Sequence, residues 1–121
     1  IIPKRFASFI EFDNKTISNV IKRSRIFNED IVKIDMSKEN GNILIMAEGD
    51  EGSSYEDCKA IVSEDCDTII LDPIRLQLIL GMAKPFGDMT IASINTPRSP
   101  IQFTGKDNSS WTSILMPKAL K

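Results

Sequence analysis

The chain has 121 residues, 41% hydrophobic and 26% charged, which is about one domain's worth of sequence with a globular composition. No apolar run approaches the roughly 20 residues needed to cross a bilayer, and no signal peptide is visible. The formal net charge of −2 excludes a protein that is basic throughout, so any hold on nucleic acid has to come from a local concentration of Lys and Arg.

In chain order, residues 6–12 put Phe6, Ser8, Ile10 and Phe12 on one parity, which predicts a strand. Asp13 or Asn14 can cap a helix reaching about Phe27, in which Ile17, Val20, Ile21 and Ser24 recur at the spacing of a buried stripe. Residues 31–36 alternate as a half-buried strand. Glu39-Asn40-Gly41-Asn42 then turns the chain into a hairpin partner over 43–47. Residues 48–54, acidic and carrying Gly49 and Gly52, are expected as a solvated loop, followed by strands over 55–62 and 66–71. Asp72-Pro73 opens a second helix, with Asp as the cap and Pro at a position where its missing N–H costs nothing. That helix runs to Ala83 or Lys84 and is stopped by Pro85 and Gly87. Strands over 89–94, 101–104 and 111–116 complete the set.

The order strand, helix, three strands therefore occurs twice, over about 6–62 and 66–120. Three echoes in the same order, their offset shrinking slightly along the chain, support an internal duplication: Phe12-Asp13 with Leu71-Asp72, Asp30-Ile31-Val32 with Asp88-Met89-Thr90, and Ser53-Ser54-Tyr55 with Ser109-Ser110-Trp111. The expected fold is a two-layer α+β domain, an antiparallel sheet with two helices on one face.

Charge is not spread evenly. The first helix carries Lys15, Lys22, Arg23 and Arg25, and at about 100° per residue Lys15, Asn19 and Lys22 fall opposite the Ile17/Val20/Ile21 stripe, with Arg23 beside them. In the second helix Gln77, Gly81 and Lys84 form a narrow, weakly basic face. Such faces suit salt-sensitive, sequence-independent contact with a phosphate backbone, although on the charges alone a solvated lysine-rich face with no partner is the better fit. Catalysis has no visible apparatus: the chain has no histidine, no phosphate-cradling glycine loop, and no Ser or Cys beside a plausible base. Glu48, Asp50, Glu51, Glu56 and Asp57 are too irregularly spaced for a cation site and are expected to be solvated, so neither metal nor cofactor is expected. Cys58 and Cys66 are expected as reduced thiols, and Tyr55 and Trp111 as core or sheet-face aromatics.

The tail Ser99-Pro100-Ile101-Gln102-Phe103 and Ile114-Leu115-Met116-Pro117-Lys118-Ala119-Leu120 resembles the terminal strands of bacterial DNA sliding clamps, which end in Met-Pro-x-x-Leu. Ile1-Ile2-Pro3-Lys4 resembles the linker entering the third clamp domain, and Arg23-Ser24-Arg25-Ile26-Phe27 the end of that domain's first helix. The resemblance implies a DNA-clamp fold and a non-catalytic C-terminal domain of the beta subunit of DNA polymerase III. In such clamps three domains per subunit and two subunits per ring enclose duplex DNA. It implies DNA-facing Lys15, Lys22, Arg23 and Lys84, and an apolar pair Ile26 and Phe27 at the subunit interface, where an edge strand joins a neighbour's sheet. It also implies a cleft for short hydrophobic motifs of polymerase, clamp loader and repair proteins, lined by Ile1, Pro100, Ile114, Met116 and Pro117 and rimmed by Lys118 and Leu120. Cytoplasmic, nucleoid-associated localisation follows from the same resemblance. Two positions depart from the family: Arg75 where an aromatic is frequent, and Lys118-Ala119 in place of an apolar residue followed by Arg. Absence of a starting methionine suggests a piece of a longer protein, and a stand-alone clamp-like interaction module that forms no ring is the alternative.

Overall fold

The computed structural model describes residues 7–107 and 110–118; Ile1, Phe6, Ser109 and Leu120, all named above, lie outside them. The elements are β1 (Ser8–Asp13), α1 (Asn14–Ser24), β2 (Val32–Ser37), β3 (Asn42–Gly49), β4 (Gly52–Lys59), β5 (Ile61–Val62), β6 (Ile69–Leu71), α2 (Pro73–Ala83), a 3-10 turn (Lys84–Phe86), β7 (Met89–Ile94), β8 (Ile101–Gly105) and β9 (Thr112–Leu115).

Both helix starts follow from their caps. Asp13 accepts bonds from the Thr16 amide at 2.9 Å and the Thr16 hydroxyl at 2.8 Å. Asp72 accepts from the amides of Ile74 and Arg75, with Pro73 in the first turn. Asn14 is not the cap but the first helical residue. It is buried, its side-chain amide donates to the Gly87 carbonyl at 3.0 Å, and its oxygen accepts from the Thr90 hydroxyl.

The strands form two antiparallel sheets where one was expected, ordered β5-β1-β7-β8-β9 and β4-β3-β2-β6. The strand before each helix pairs with the strand after the other helix: β1 with β7 over Ser8↔Ile94 to Asp13↔Met89, and β6 with β2 over Val32↔Leu71 to Ile34↔Ile69. The strand expected over 55–62 breaks at Ala60, because the chain leaves one sheet as β4 and enters the other as β5 beside β1. The tail makes the matching crossing, where the Lys118 amide donates to the Ile70 carbonyl at 2.7 Å. The strand expected over 66–71 shortens to Ile69–Leu71.

The acidic stretch 48–54 is not a loop. The hairpin β3–β4 continues to Gly49↔Gly52 and leaves Asp50 and Glu51 as its turn. Gly49 is required there by close approach: a Cβ on it would stand 2.0 Å from the Phe27 carbonyl oxygen, and the Phe27 ring lies 3.3 Å from the Cβ position of Gly52. After the second helix the Phe86 ring packs against Trp111, their centroids 6.0 Å apart. The core lies between helices and sheets, with Ile17, Val20 and Ile21 of α1 and Leu76, Ile79 and Leu80 of α2 packed with Ile10, Phe12, Ile45, Ile69, Ile94, Ile101 and Phe103.

Candidate functional site

Helix α1 buries Ile17, Val20, Ile21 and Ser24, which leaves Lys15, Asn19 and Lys22 exposed on the opposite side and Arg23 exposed at its flank. The two helices lie against each other and enclose a shallow groove of about 360 Å³ lined by Asn14, Lys15, Ser18, Asn19, Gly81 and Lys84, among others. Lys15 and Lys84, far apart in sequence, thus face one groove. Among the described residues neither of them, nor Lys22, makes an ion pair.

Arg23 differs. Its Nη2 donates to Glu56 at 2.7 Å and its Nε to both carboxylate oxygens at 3.1 and 3.2 Å, and this hydrogen-bonded partner raises the guanidinium pKa. Arg25 donates to Gln77 at 2.7 Å and lies 3.7 Å from Glu29, so it bridges α1 to α2. On α2 the outward residues besides Gly81 and Arg75 are Ile74, Leu78 and Met82, spaced by four and exposed by 39%, 64% and 56%. Sequence patterning registered the narrow polar face of this helix. The apolar stripe beside it was legible only once the buried side was known.

Ile26 is 75% exposed, whereas Phe27 is half-buried against the β3–β4 hairpin. Both lie at the end of the sheet whose edge strand is β4. In β9 the alternation sends Leu115 into the core and Ile114 outward, with Met116 also exposed just beyond. Pro100 precedes Ile101, the partner of Leu115, so the register carries it toward Met116. Pro117 is half-buried, and the Lys118 ammonium donates to the Asp30 carbonyl at 2.7 Å, which ties the tail to the loop before β2. Among the described residues no group of His, Cys, Asp and Glu could hold a metal ion, and no helix is long and apolar enough to cross a membrane.

Two helices on a pair of four- and five-stranded antiparallel sheets, with a strand, a helix and a run of strands met twice, make this a DNA-clamp domain fold. Solved bacterial DNA polymerase III beta subunits share it. The chain superposes on that from Thermotoga maritima with a TM-score of 0.91 at 19% identity, over 100% of this chain and 33% of that one. For the Streptococcus pneumoniae beta chain the values are 0.88 and 20%, over 98% and 32%. For the Pseudomonas aeruginosa sliding clamp bound to griselimycin they are 0.88 and 17%, over 99% and 32%. The chain thus spans about a third of the length of these structures. No protein-family model matches the sequence, and no curated protein matches it.

Proposed function

We propose that this chain is the C-terminal, third domain of a sliding-clamp subunit, a non-catalytic processivity factor for DNA polymerase. Rings of such subunits would encircle duplex DNA and recruit polymerase, clamp loader and repair proteins. The observation that carries the proposal is the fold match over the whole chain, together with cations left unpaired on the helix layer of an acidic protein. Lys15, Lys22 and Lys84 would meet phosphates without reading bases. Ile26, Phe27 and the edge of β4 would meet the neighbouring subunit, and Pro100, Ile114, Met116 and Pro117, with Ile1, Lys118 and Leu120, would seat a partner's hydrophobic motif. Ring closure, not local affinity, would hold the DNA, so the single domain should bind a linear duplex only weakly.

The test is titration of a labelled peptide carrying a Gln followed by Leu and Phe anchors into the folded chain. Micromolar binding that is lost in Met116→Ala and Ile114→Ala supports partner recruitment through this edge. Absence of binding by the folded wild-type chain refutes it.

A second reading, a clamp-like interaction module that forms no ring, is favoured by the exposed Ile74, Leu78 and Met82. These side chains offer nothing to phosphate and would suit a protein surface better. Salt-sensitive binding to duplex that falls in Lys15→Gln/Lys22→Gln belongs to the first reading. A chain indifferent to duplex belongs to the second.

A further inference from the structure

Glu56 stands opposite Ile45 in the β3–β4 ladder, so the alternation of β4 turns its side chain to the helix side of the sheet, between Ser54 and Cys58. An apolar residue would fit that position. A carboxylate there is fixed by the pairing of its own strand, has only 30% of its side chain exposed, and needs a cation. Arg23, in the last turn of α1, supplies one through three hydrogen bonds that occupy one side of its guanidinium fork. A phosphate that met the free side of the fork would find a guanidinium already neutralised and a like charge beside it, and one that took the paired side would leave this half-covered carboxylate unpaired.

Resting on the proposal that the helix layer faces phosphate, we infer that Glu56 sets the strength of that layer: it withholds Arg23, and Lys15, Lys22 and Lys84 are left to engage the duplex. The ligand concerned is the phosphate backbone of B-form DNA, and the consequence is a weaker, shallower salt dependence than the cations in the sequence would give.

The test is the salt dependence of binding of the 121-residue chain to a labelled duplex, read by fluorescence anisotropy. Glu56→Gln is expected to tighten binding several-fold at low salt and to steepen the slope of log K against log salt by about 0.9, the value for one more neutralised phosphate. Arg23→Gln alone should leave the slope unchanged, and in that background Glu56→Gln should no longer steepen it. Glu56→Thr, which also removes the carboxylate and suits a strand, should reproduce the Gln result. A fall of the wild-type slope by about 0.9 in Arg23→Gln overturns the inference, since Arg23 would already engage phosphate. An equal effect of Glu56→Gln with and without Arg23 also overturns it, as that would be a general charge effect. Lys15→Gln/Lys22→Gln separates the two levels. Loss of slope there keeps the phosphate-facing reading whatever Glu56 does, whereas unchanged binding in that variant overturns both.

Discussion

Replacing Gly49 with alanine puts one methyl group 2.0 Å from the Phe27 carbonyl oxygen, a separation no carbon and oxygen can hold. The Phe27 carbon is also only 3.1 Å from that Cβ, so the obstacle is backbone and cannot swing away as a side chain would. Either the end of the β3–β4 hairpin or the turn after α1 has to move by more than 1 Å, roughly, which is overpacking of a kind that costs about 1–3 kcal/mol. The displaced turn carries Ile26 and Phe27, so a local rearrangement there should accompany the loss of stability. Gly81 is the internal control: it lies in α2, is exposed, and an added Cβ would meet nothing within 4 Å. Alanine at that position should stabilise by about 0.5–1 kcal/mol through helix propensity. Urea unfolding of the two variants beside the wild type measures both effects, with unchanged m-values certifying that the native state is being compared. A Gly49→Ala variant within 0.5 kcal/mol, roughly, of the wild type would refute the close approach of the hairpin to Phe27, since surface changes without a contact usually stay in that range.

Removing the helix caps is expected to cost about 1 kcal/mol each, for Asp13→Ala and for Asp72→Ala, read as a lower midpoint in the same urea experiment. Asparagine at either position should restore most of the loss, because it keeps an acceptor for the first-turn amides. Burial raises the Cys58 and Cys66 thiols above their ordinary value, and a hydrogen bond to Glu48 raises the Tyr55 phenol. The folded state therefore keeps these protons after the unfolded chain has lost them. For the thiols the resulting contribution to stability is complete below their ordinary value of 9.0 and is lost as pH rises from there through the raised value of the folded state. The melting temperature should fall above pH 9.0, and Cys58→Ser should lessen the fall; a melting temperature flat to pH 10.0 would contradict the burial of the two thiols.

What the sequence disclosed was whatever depends on neighbours along the chain. Asp72-Pro73 announces a helix because cap and first-turn proline are adjacent, and Ile17, Val20 and Ile21 mark the buried side of α1 through its period alone. Residues 48–54 misled because glycine and acid are the usual marks of a loop, whereas Gly49 is a glycine for the sake of Phe27, a contact visible only in three dimensions. The division into two sheets was hidden for a related reason: nothing in Lys59-Ala60-Ile61 shows that the chain changes partners there. Among the candidate site residues, the exposure of Lys15 and Lys22 followed from helical geometry. The pairing of Arg23 with Glu56 did not, because it spans 33 residues and depends on which face of β4 meets α1.

The exchange of strands between the two halves bears on how the chain comes into being. Residues 8–62 made alone would present β1 without β7 and β2 without β6, leaving two rows of backbone donors and acceptors open to water or to another chain. During synthesis the sheet begun by β4, β3 and β2 waits for β6, and the one begun by β5 and β1 waits for β7, β8 and β9, so folding should finish late and proceed slowly, as closure of distant strands generally does. By the same logic the two halves, expressed as separate fragments, should be unfolded apart and should assemble when mixed, each providing the strand that the other's sheet lacks.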